Sequence, residues 1–251
     1  MRILLTNDDG IHAPGLAVLE TLARQLSDDV WVCAPTEEQS GAGHSLTLHH
    51  PVRLREHGDN RYSVTGTPTD SVNLALRKLF GDRKPDLVLS GVNAGENLGD
   101  DITYSGTISA AMEAALAGIP AIGLSQAFRE GGPGFDAAEN WGAKVLAPLI
   151  DMQMAKRTLI NVNFPPLAAD AVRGIRVVRQ GFHDYSRGSL VEGTDPRGRT
   201  YYWFGLQDAE HTLDHGTDLE AVDDGFIAVT PLQLDLTQHS ALSDLADRFA
   251  A

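Results

Sequence analysis

Short apolar runs alternate with amphipathic segments from the N-terminus to about residue 165, and this alternation restricts the fold more than any other feature. The first run, "RILLT", precedes "APGLAVLETLARQLSD", in which leucines recur at helical spacing, and "DVWVCAP" follows. A strand, a helix and a strand of these lengths form a βαβ unit with parallel strands. Further apolar runs at 86–91, 120–125 and 157–165 repeat the arrangement. The alternation predicts an α/β fold with a doubly wound, mostly parallel sheet in three Rossmann-like layers.

Two parts of the chain depart from this alternation. Residues 45–65 alternate apolar and polar side chains, as half-exposed strands do, and predict a small antiparallel excursion. After residue 170 strands predominate, and "DYSRGSLVEGTDPRGRTYYWFGL" predicts a projecting C-terminal β-hairpin. A two-stranded hairpin is marginal alone, so a second subunit is its natural partner. We expect a catalytic α/β domain over 1–170 and a β-rich oligomerisation extension over 171–251 that completes the same domain.

The charge and the cysteine content narrow the classes of partner and the compartment. Lys and Arg total 20 against 34 Asp and Glu, and the net charge of −14 disfavours binding to a nucleic-acid polymer or an anionic membrane. Cys33 is the single cysteine, so an intramolecular disulfide is impossible, as is typical of a reducing compartment. The N-terminus lacks a signal-peptide pattern, and no apolar run approaches the roughly 18 residues of a membrane span. We expect a soluble cytoplasmic protein.

Asp8 and Asp9, in "NDDG", come directly after the first predicted strand. Ligands of open α/β sheets bind beyond the carboxyl ends of the strands, so this turn lies at a binding edge. Adjacent ionised carboxylates repel each other unless a cation neutralises them, and Asp and Asn oxygens suit Mg²⁺ or Mn²⁺. Asn, Asp and Gly are also common in an ordinary polar turn after a strand. Taken alone, the pair is compatible with either a metal site or a turn.

A glycine-rich loop, "QSGAGHS", follows the second predicted strand and contains Ser40, Gly41, Gly43 and His44. Backbone N–H groups in such a turn would cradle an anion. His44 is a candidate acid–base catalyst or hydrogen-bond donor to phosphate, although a lone loop histidine is more often a surface residue.

The loop "VNAGENLGDDITYSGT" after the strand at 86–91 holds the richest set of polar candidates. Asn93 and Asn97 offer amide groups. Ser105 or Thr107 would present a hydroxyl where a helix begins, and Gly106 would allow close approach of the backbone. The free N–H groups and the dipole make such a helix end an anion site. An ordinary N-cap explains the hydroxyl residues equally well, but it does not explain the long Asn- and Gly-rich lead-in.

Two further pairs of polar residues lie near these loops. Asp100 and Asp101 are interpreted as solvated loop acids in preference to supporting groups of the site. Asn161 and Asn163 lie near the end of the strand at 157–165, where they would line the pocket.

The blocks "ILLTNDDGIHAPG", "APTEEQSGAGHSLT", "GTPTDSV", "SGVNAGENLGDDITYSGTISAAMEA" and "TPLQLDLT" occur in this order along the chain. With them, nearly the whole sequence resembles the SurE (survival protein E) family of 5′/3′-nucleotidases. "TNDDG" and "YSGT" together make the resemblance specific. It implies a divalent-metal-dependent phosphatase that acts on nucleoside 5′- and 3′-monophosphates, and some members of the family also trim short polyphosphate.

The resemblance also implies roles for individual residues. It implies one divalent metal per subunit, Mg²⁺ or Mn²⁺ with Ca²⁺ or another ion also compatible, held by Asp8, Asp9, Ser40 and Asn93. It implies phosphate contacts from Gly41, Asn97, Ser105, Gly106 and Thr107. It further implies a homodimer or homotetramer, formed partly through an exchanged hairpin at 181–207 and the C-terminal segment.

Phosphomonoester hydrolysis needs an in-line nucleophile and positive charge on the equatorial oxygens. We favour a water activated by the metal, with Asp8 or Asp9 serving as general base as well as ligand. Direct carboxylate attack, which would give an aspartyl-phosphate, is the alternative. Two alternatives come from other functional classes: a nucleotide- or phosphate-binding module without turnover, and a phospho-receiver-like domain, which also clusters acids at the carboxyl ends of a parallel sheet.

Overall fold

The structure, a computed structural model, describes residues 1–132, 134–183, 188–206 and 215–250. The strands within these residues are β1 (Arg2–Thr6), β2 (Asp29–Pro35), β3 (Leu54–Gly58), β4 (Arg61–Val64), β5 (Leu87–Ala94), β6 (Ala121–Gln126), β7 (Thr158–Phe164), β8 (Ile175–Val177), β9 (Gly188–Thr194), β10 (Thr200–Leu206) and β11 (Ile227–Gln233). The α-helices are α1 (Pro14–Leu26), α2 (Pro68–Lys78), α3 (Gly106–Leu116), α4 (Asp136–Leu146), α5 (Asp218–Asp223) and α6 (Leu242–Phe249).

A mixed nine-stranded sheet has the strand order β3-β4-β2-β1-β5-β6-β7-β11-β8. From β4 to β7 all neighbours are parallel. The antiparallel pairs are β3 with β4 and β11 with β7, whereas β8 is parallel to β11. The predicted fold class, a mostly parallel doubly wound α/β sheet, is confirmed. The division of the chain at residue 170 stays a prediction.

Helices cover both faces of the sheet and so make three layers. Successive residues of β1 alternate between the faces: Ile3 and Leu5 join the core beneath α1 and α4, whereas Leu4 joins the core beneath α2 and α3. All three side chains are fully buried, and burying a side chain of this size contributes roughly 1.5–3 kcal/mol. The two cores fix β1 in the middle of the sheet, with its carboxyl end and the two aspartates at one edge.

The antiparallel excursion is smaller than the sequence pattern predicted. Its strands are only β3 and β4, and β4 joins the main sheet beside β2. The segment before β3 is not a strand: the backbone N–H and hydroxyl of Thr47 donate to Asp70 at 3.1 and 2.5 Å, and Leu48 is exposed. This segment is therefore tied to the start of α2 by side-chain hydrogen bonds that a pattern of hydrophobicity does not reveal.

Helix α5 departs from the expectation that strands predominate after residue 170. The helix has only six residues, too few for a helical period to show. It is capped by Thr217, whose hydroxyl accepts from the backbone N–H of Glu220 at 3.3 Å. The buried face of the helix packs Leu219 and Val222 against β11 and its surroundings.

The predicted hairpin is present as β9 and β10, which form a separate two-stranded sheet. Parts of the predicted 181–207 segment, namely 184–187 and 207, lie outside the described residues. Helix α6 has no buried residue. Across the described ranges, none of the helices combines the length and the apolar character needed to cross a bilayer.

Candidate active site

The loops that follow β1, β2 and β5 meet at the carboxyl edge of the sheet. The backbone N–H of Gln39 donates to the carbonyl of Asp8 at 2.8 Å, which joins the loop after β2 to the turn after β1. The backbone N–H of Ala94 donates to Oδ2 of Asp9 at 3.2 Å, which joins the end of β5 to the same turn. Adjacent parallel strands thus bring together residues that are far apart in sequence.

Asp8 is buried against the first turn of α3. Its Oδ1 accepts a hydrogen bond from the hydroxyl of Thr107. A Cβ atom on Gly106 would lie 2.7 Å from the Cβ of Asp8 and 3.0 Å from Cγ of Pro68. A side chain at position 106 would therefore collide with Asp8, so the glycine allows the carboxylate to sit at the positive end of the helix.

Burial raises the pKa of Asp8 from 3.8 to about 6, with the charge of Asp9 adding to the rise and the hydrogen bond from Thr107 opposing it. Burial also raises the pKa of Asp9; the N–H of Ala94 opposes this and the charge of Glu38 adds to it. Within the described ranges neither carboxylate forms an ion pair with a basic side chain. The site therefore holds negative charge that the described side chains leave uncompensated.

A cavity of about 340 Å³ opens beside Asp9. It is lined by Asp9, Ala13, Pro14, Gly15, Glu38, Ser40 and Ala94. The hydroxyl of Ser40 donates to Oε1 of Glu38 at 2.8 Å, so its lone pairs stay available. Sequence reasoning missed Glu38 as a member of the site. The available signal was its place directly before the glycine-rich loop, two residues before Ser40.

Asn93 lies half-buried at the end of β5, next to the Ala94 that contacts Asp9. Its Nδ2 donates to the carbonyl of Gly95 at 2.9 Å. The amide oxygen accepts no hydrogen bond from the residues that the structure describes, so it remains available as a ligand. Asn93 pairs in register with Ser125 of β6.

Asn97 is buried and held on several sides. Its backbone N–H donates to Oδ1 of Asn163 at 2.8 Å, and its carbonyl accepts from Nδ2 of Asn161 at 2.8 Å. Its own Nδ2 donates to the hydroxyl of Ser125 at 2.7 Å. Asn161 and Asn163 were predicted to line the pocket; in the structure they are fully buried and bind the main chain of Asn97 instead.

Ser105 is the N-cap of α3, and its hydroxyl accepts from the backbone N–H of Ile108 at 3.1 Å. The hydroxyl of Ser105 is therefore engaged as an ordinary N-cap. Thr107, in the first turn, directs its hydroxyl at Asp8. The helix start thus contacts the candidate metal ligand directly, through Thr107 and the bare backbone at Gly106.

The glycine-rich loop passes beside the start of α3. Gly41 is exposed with a φ of +75°, and the N–H of Gly43 donates to the carbonyl of Tyr104 at 3.1 Å. His44 contacts Glu113, with Nε2 3.2 Å from Oε2. Since Glu113 lies seven residues after Gly106 on α3, it stands about 10 Å further along the helix axis. The structure thus brings Gly43 to the helix start and places His44 against a more distant turn.

Asp100 and Asp101 are not simply solvated. Oδ2 of Asp100 accepts from the backbone N–H of His183 at 3.0 Å, and Nε2 of His183 lies 3.1 Å from Oδ2 of Asp101. The buried Asp218 of α5 accepts from the N–H of Gly99 at 3.0 Å. The C-terminal part of the chain therefore braces the loop that carries Asn97.

The candidate metal ligands are a mixed set of oxygen donors rather than a cluster of acidic and histidine side chains. No group of three or more His, Cys, Asp or Glu side chains able to hold a metal occurs in the described parts of the chain. The site instead offers a mixed oxygen set from Asp8, Asp9, Ser40 and Asn93. Oδ1 of Asn7, beside Asp8, is buried without a hydrogen-bond partner. Hard oxygen donors and uncompensated carboxylates fit Mg²⁺ or Mn²⁺.

Comparison with known proteins gives a consistent result along the chain. The family model described as "Survival protein SurE" matches residues 3–187. The chain is 72% identical over 251 residues to the 5′-nucleotidase SurE of Erythrobacter litoralis, covering 99% of this chain and 100% of that relative. It is 58% identical over 247 residues to the 5′-nucleotidase SurE of Rhizorhabdus wittichii, covering 97% of each. The crystal structure of the SurE protein from Aquifex aeolicus matches with a TM-score of 0.87 and 38% identity, covering 99% of this chain and 100% of that one. On these grounds the chain belongs to the SurE family.

Proposed function

We propose that this protein is a divalent-metal-dependent nucleotidase that hydrolyses nucleoside 5′- and 3′-monophosphates to nucleoside and phosphate, with short polyphosphate as a further substrate. The observation that carries the proposal is the pair Asp8 and Asp9, two carboxylates without a basic partner in the described residues. Asp8 lies against the start of α3, and Asp9 accepts from the N–H of Ala94 at the end of β5. The name 5′-nucleotidase, which the relatives bear, supports the nucleotidase activity.

One divalent cation, Mg²⁺ or Mn²⁺ with Ca²⁺ also compatible, would be held by Asp8, Asp9, Ser40 and Asn93. When bound, such an ion neutralises the carboxylates, attracts a phosphate oxygen and lowers the pKa of a bound water. The hydrogen bond from Ser40 to Glu38 keeps the serine lone pairs free for this role.

The protein's own residues would bind and orient the phosphate. In this proposal Gly41, Asn97, Ser105, Gly106 and Thr107 surround the phosphate oxygens. A water attacks phosphorus in line with the ester oxygen, and Asp8 or Asp9 takes its proton. The bond between phosphorus and the ester oxygen breaks, and the nucleoside leaves with that oxygen, which gains a proton. His44 remains a candidate for substrate contact only if its bond to Glu113 opens.

The proposed assembly is a homodimer or homotetramer formed through the hairpin and the C-terminal segment. The side chains of Trp203 and Phe204 are 67% and 89% exposed, and α6 exposes Leu242, Leu245 and Phe249 along one face. Exposed apolar groups of this kind are typical of interaction surfaces. A cytoplasmic location, with no nucleic-acid polymer or membrane as partner, completes the proposal.

The activity is tested by incubating the protein with AMP and Mn²⁺ and measuring released phosphate, with EDTA as the metal-removal control. We expect release that EDTA abolishes, and a loss of at least about tenfold in Asp9→Asn at limiting metal. Asp151→Asn, an exposed charge change far from the site in sequence, should behave like the wild type. No metal-dependent release from any of several nucleotides would refute the proposal in favour of a binding module without turnover.

The nucleophile is tested separately by denaturing quench during turnover of phosphate-labelled AMP. We expect no label on the protein, because a water is the proposed nucleophile. Label recovered on Asp8 or Asp9 would establish an aspartyl-phosphate instead.

A further inference from the structure

Three buried side chains hold Asn97, and we call Asn161, Asn163 and Ser125 the asparagine bracket. Asn163 contacts both main-chain groups of Asn97, since its Oδ1 accepts the N–H at 2.8 Å and its Nδ2 donates to the carbonyl at 3.2 Å. Asn161 donates to the same carbonyl at 2.8 Å and accepts from Nδ2 of Asn163 at 3.1 Å. Ser125 accepts from Nδ2 of Asn97 at 2.7 Å.

The directions of these hydrogen bonds follow from the main chain. A backbone N–H can only donate and a backbone carbonyl can only accept. The oxygen of Asn163 must therefore face the N–H of Asn97, and the nitrogen of Asn161 must face its carbonyl. With both amides oriented in this way, Nδ2 of Asn163 must donate to Oδ1 of Asn161. The bracket thus has one arrangement in which every bond is made, and Asn97 is fixed in it.

The asparagine side chains in β7 are not explained by the packing of the sheet. Asparagine is unfavourable in strands, and the interior of a strand normally holds β-branched or aromatic residues. Leu159, Asn161 and Asn163 occupy one face of β7, and both asparagines are fully buried. Opposite Asn161 in register lies Thr230 of β11, whose hydroxyl is buried without a partner. The side chains of Asn161 and Asn163 form their hydrogen bonds with each other and with the main chain of Asn97.

The bracket leaves a specific group of Asn97 available. One N–H of its side-chain amide is used by Ser125, and the second has no acceptor among the described residues. Asn97 lies four residues after Asn93, and Ser125 is the register partner of Asn93. The bracket therefore holds Asn97 beside the end of β5, where the candidate metal ligands converge.

We propose that Asn161 and Asn163 are positioning residues for phosphate recognition, which hold Asn97 so that its second amide N–H is ready for a phosphate oxygen. This inference rests on the proposed nucleotidase function. A hydrogen-bond donor that is already fixed loses no conformational entropy when the substrate binds. The bracket should therefore act mainly on the affinity for phosphate and on KM. It should leave the affinity for Mn²⁺ unchanged.

The test compares Asn163→Ala and Ser125→Ala with Thr230→Val. Thr230→Val changes a buried side chain of the same sheet without removing a hydrogen bond, and Ser125→Ala is the milder change should Asn163→Ala fail to fold. Calorimetry in Mn²⁺ would measure binding of inorganic phosphate and of Mn²⁺ itself. Hydrogen exchange at the amide of Asn97 would report whether the loop is loosened.

We expect faster exchange at Asn97 in Asn163→Ala and phosphate binding weaker by about tenfold, the effect of losing one well-placed hydrogen bond to a charged ligand. KM should rise more than kcat falls, and Mn²⁺ affinity should stay within about twofold of the wild type. In an Asn97→Ala background, Asn163→Ala should weaken phosphate binding no further.

Two results would overturn the positioning role while leaving the proposed function intact. The first is unchanged phosphate affinity in both bracket variants of an active enzyme. The second is a loss of phosphate affinity on Asn163→Ala that is equally large when residue 97 has already been changed to alanine. A wild-type protein that neither binds phosphate nor hydrolyses AMP would refute the proposed function and the positioning role together.

Discussion

Asp8 is charged at neutral pH in a place that disfavours its charge, because burial raises its pKa from 3.8 to about 6. The folded state binds a proton at Asp8 more tightly than the unfolded state does, so the stability of the metal-free protein falls as pH rises between these values. The ionised group costs about 3 kcal/mol above this window. A bound cation would offset that cost, which links metal binding to folding.

We therefore predict that Asp8→Asn stabilises the metal-free protein at pH 7 by roughly 1–3 kcal/mol. When the pH is lowered from 7 to 5, protonation of Asp8 should raise the free energy of unfolding of the wild type by about 1 kcal/mol. The variant lacks this group and should not show that increase. Urea unfolding in EDTA at several pH values measures both effects, with Asp151→Asn as a control for charge. A lower stability of Asp8→Asn at pH 7 would contradict the prediction.

Gly106 is required because of a contact rather than a backbone conformation. Its missing Cβ would lie 2.7 Å from the Cβ of Asp8. We predict that Gly106→Ala displaces Asp8, lowers activity at least tenfold and destabilises the fold by about 1–3 kcal/mol, although alanine is otherwise the better helix former. Activity and urea unfolding provide the measurement.

Gly118 offers the matched control for this substitution. It follows α3 with a φ of +79°, and a Cβ added there would meet nothing within 4 Å, so Gly118→Ala strains only the backbone. The control should lose stability and keep its activity at saturating metal. Equal activity in both variants would show that Asp8 tolerates a methyl group at position 106.

At the scale of elements, the start of α2 shows how local sequence specifies a helix end. Thr67 accepts from the N–H of Asp70 at 3.1 Å, and Asp70 accepts from the N–H of Thr67 at 2.9 Å. Pro68 occupies the first helical position, where its fixed φ and missing N–H suit a helix start. Asp70 also accepts two hydrogen bonds from Thr47, which attach the preceding segment to the helix.

We predict that Asp70→Ala destabilises the protein by about 2–4 kcal/mol, through loss of the cap and of the bonds to Thr47. Burial opposes ionisation of Asp70, but the hydrogen bonds from Thr47 and Thr67 outweigh it and lower the pKa. The stability from Asp70 is therefore present above pH 3.8 and lost as pH falls through the lowered pKa. Urea unfolding at pH 7 and at acid pH tests this. Lys78→Ala, on the exposed side of the same helix, should change little, and an equal effect there would contradict the prediction.

The elements differ in how far sequence predicted them. The strands around the site were found because continuous apolar runs mark strands buried on both faces. The start of helix α3 was located by the hydroxyl residues Ser105 and Thr107 and by the Asn- and Gly-rich lead-in before them. Helix α5 was missed because six residues are too few to show a helical period. The irregular segment near Thr47 was missed because side-chain hydrogen bonds to Asp70 determine its conformation, and the hydrophobic period does not record such bonds.

At the scale of the whole molecule, the β9–β10 hairpin carries two strongly exposed aromatic side chains, Trp203 and Phe204. Trp203 pairs with Val191 and Phe204 with Leu190, and successive residues of a strand point to opposite faces. Both faces of the hairpin therefore present apolar groups. A second copy of the chain would cover them, as the proposed oligomer requires.

We predict that the double variant Trp203→Ser, Phe204→Ser shifts the protein to a smaller species than the wild type in sedimentation velocity. It should keep its circular dichroism and its Mn²⁺ affinity, because the hairpin forms a sheet separate from the one that carries Asp8. Glu192→Ser, an exposed polar change on the same hairpin, is the control and should sediment as the wild type does. A wild-type protein that is already monomeric would contradict the proposed assembly.

The sequence by itself determined the parallel α/β architecture, the order of the loops at the carboxyl edge and the candidate residues from Asp8 to Thr107, because strand and helix periods and motif spacing are local properties of a chain. Only the tertiary structure decided that Gly106 makes room for Asp8, that Glu38 binds Ser40, that His44 contacts Glu113, and that Asn161 and Asn163 hold Asn97. Most of these relations depend on distances between residues dozens of positions apart. They are fixed by how helices, strands and loops pack, and the period of a sequence does not encode which buried polar atoms will meet.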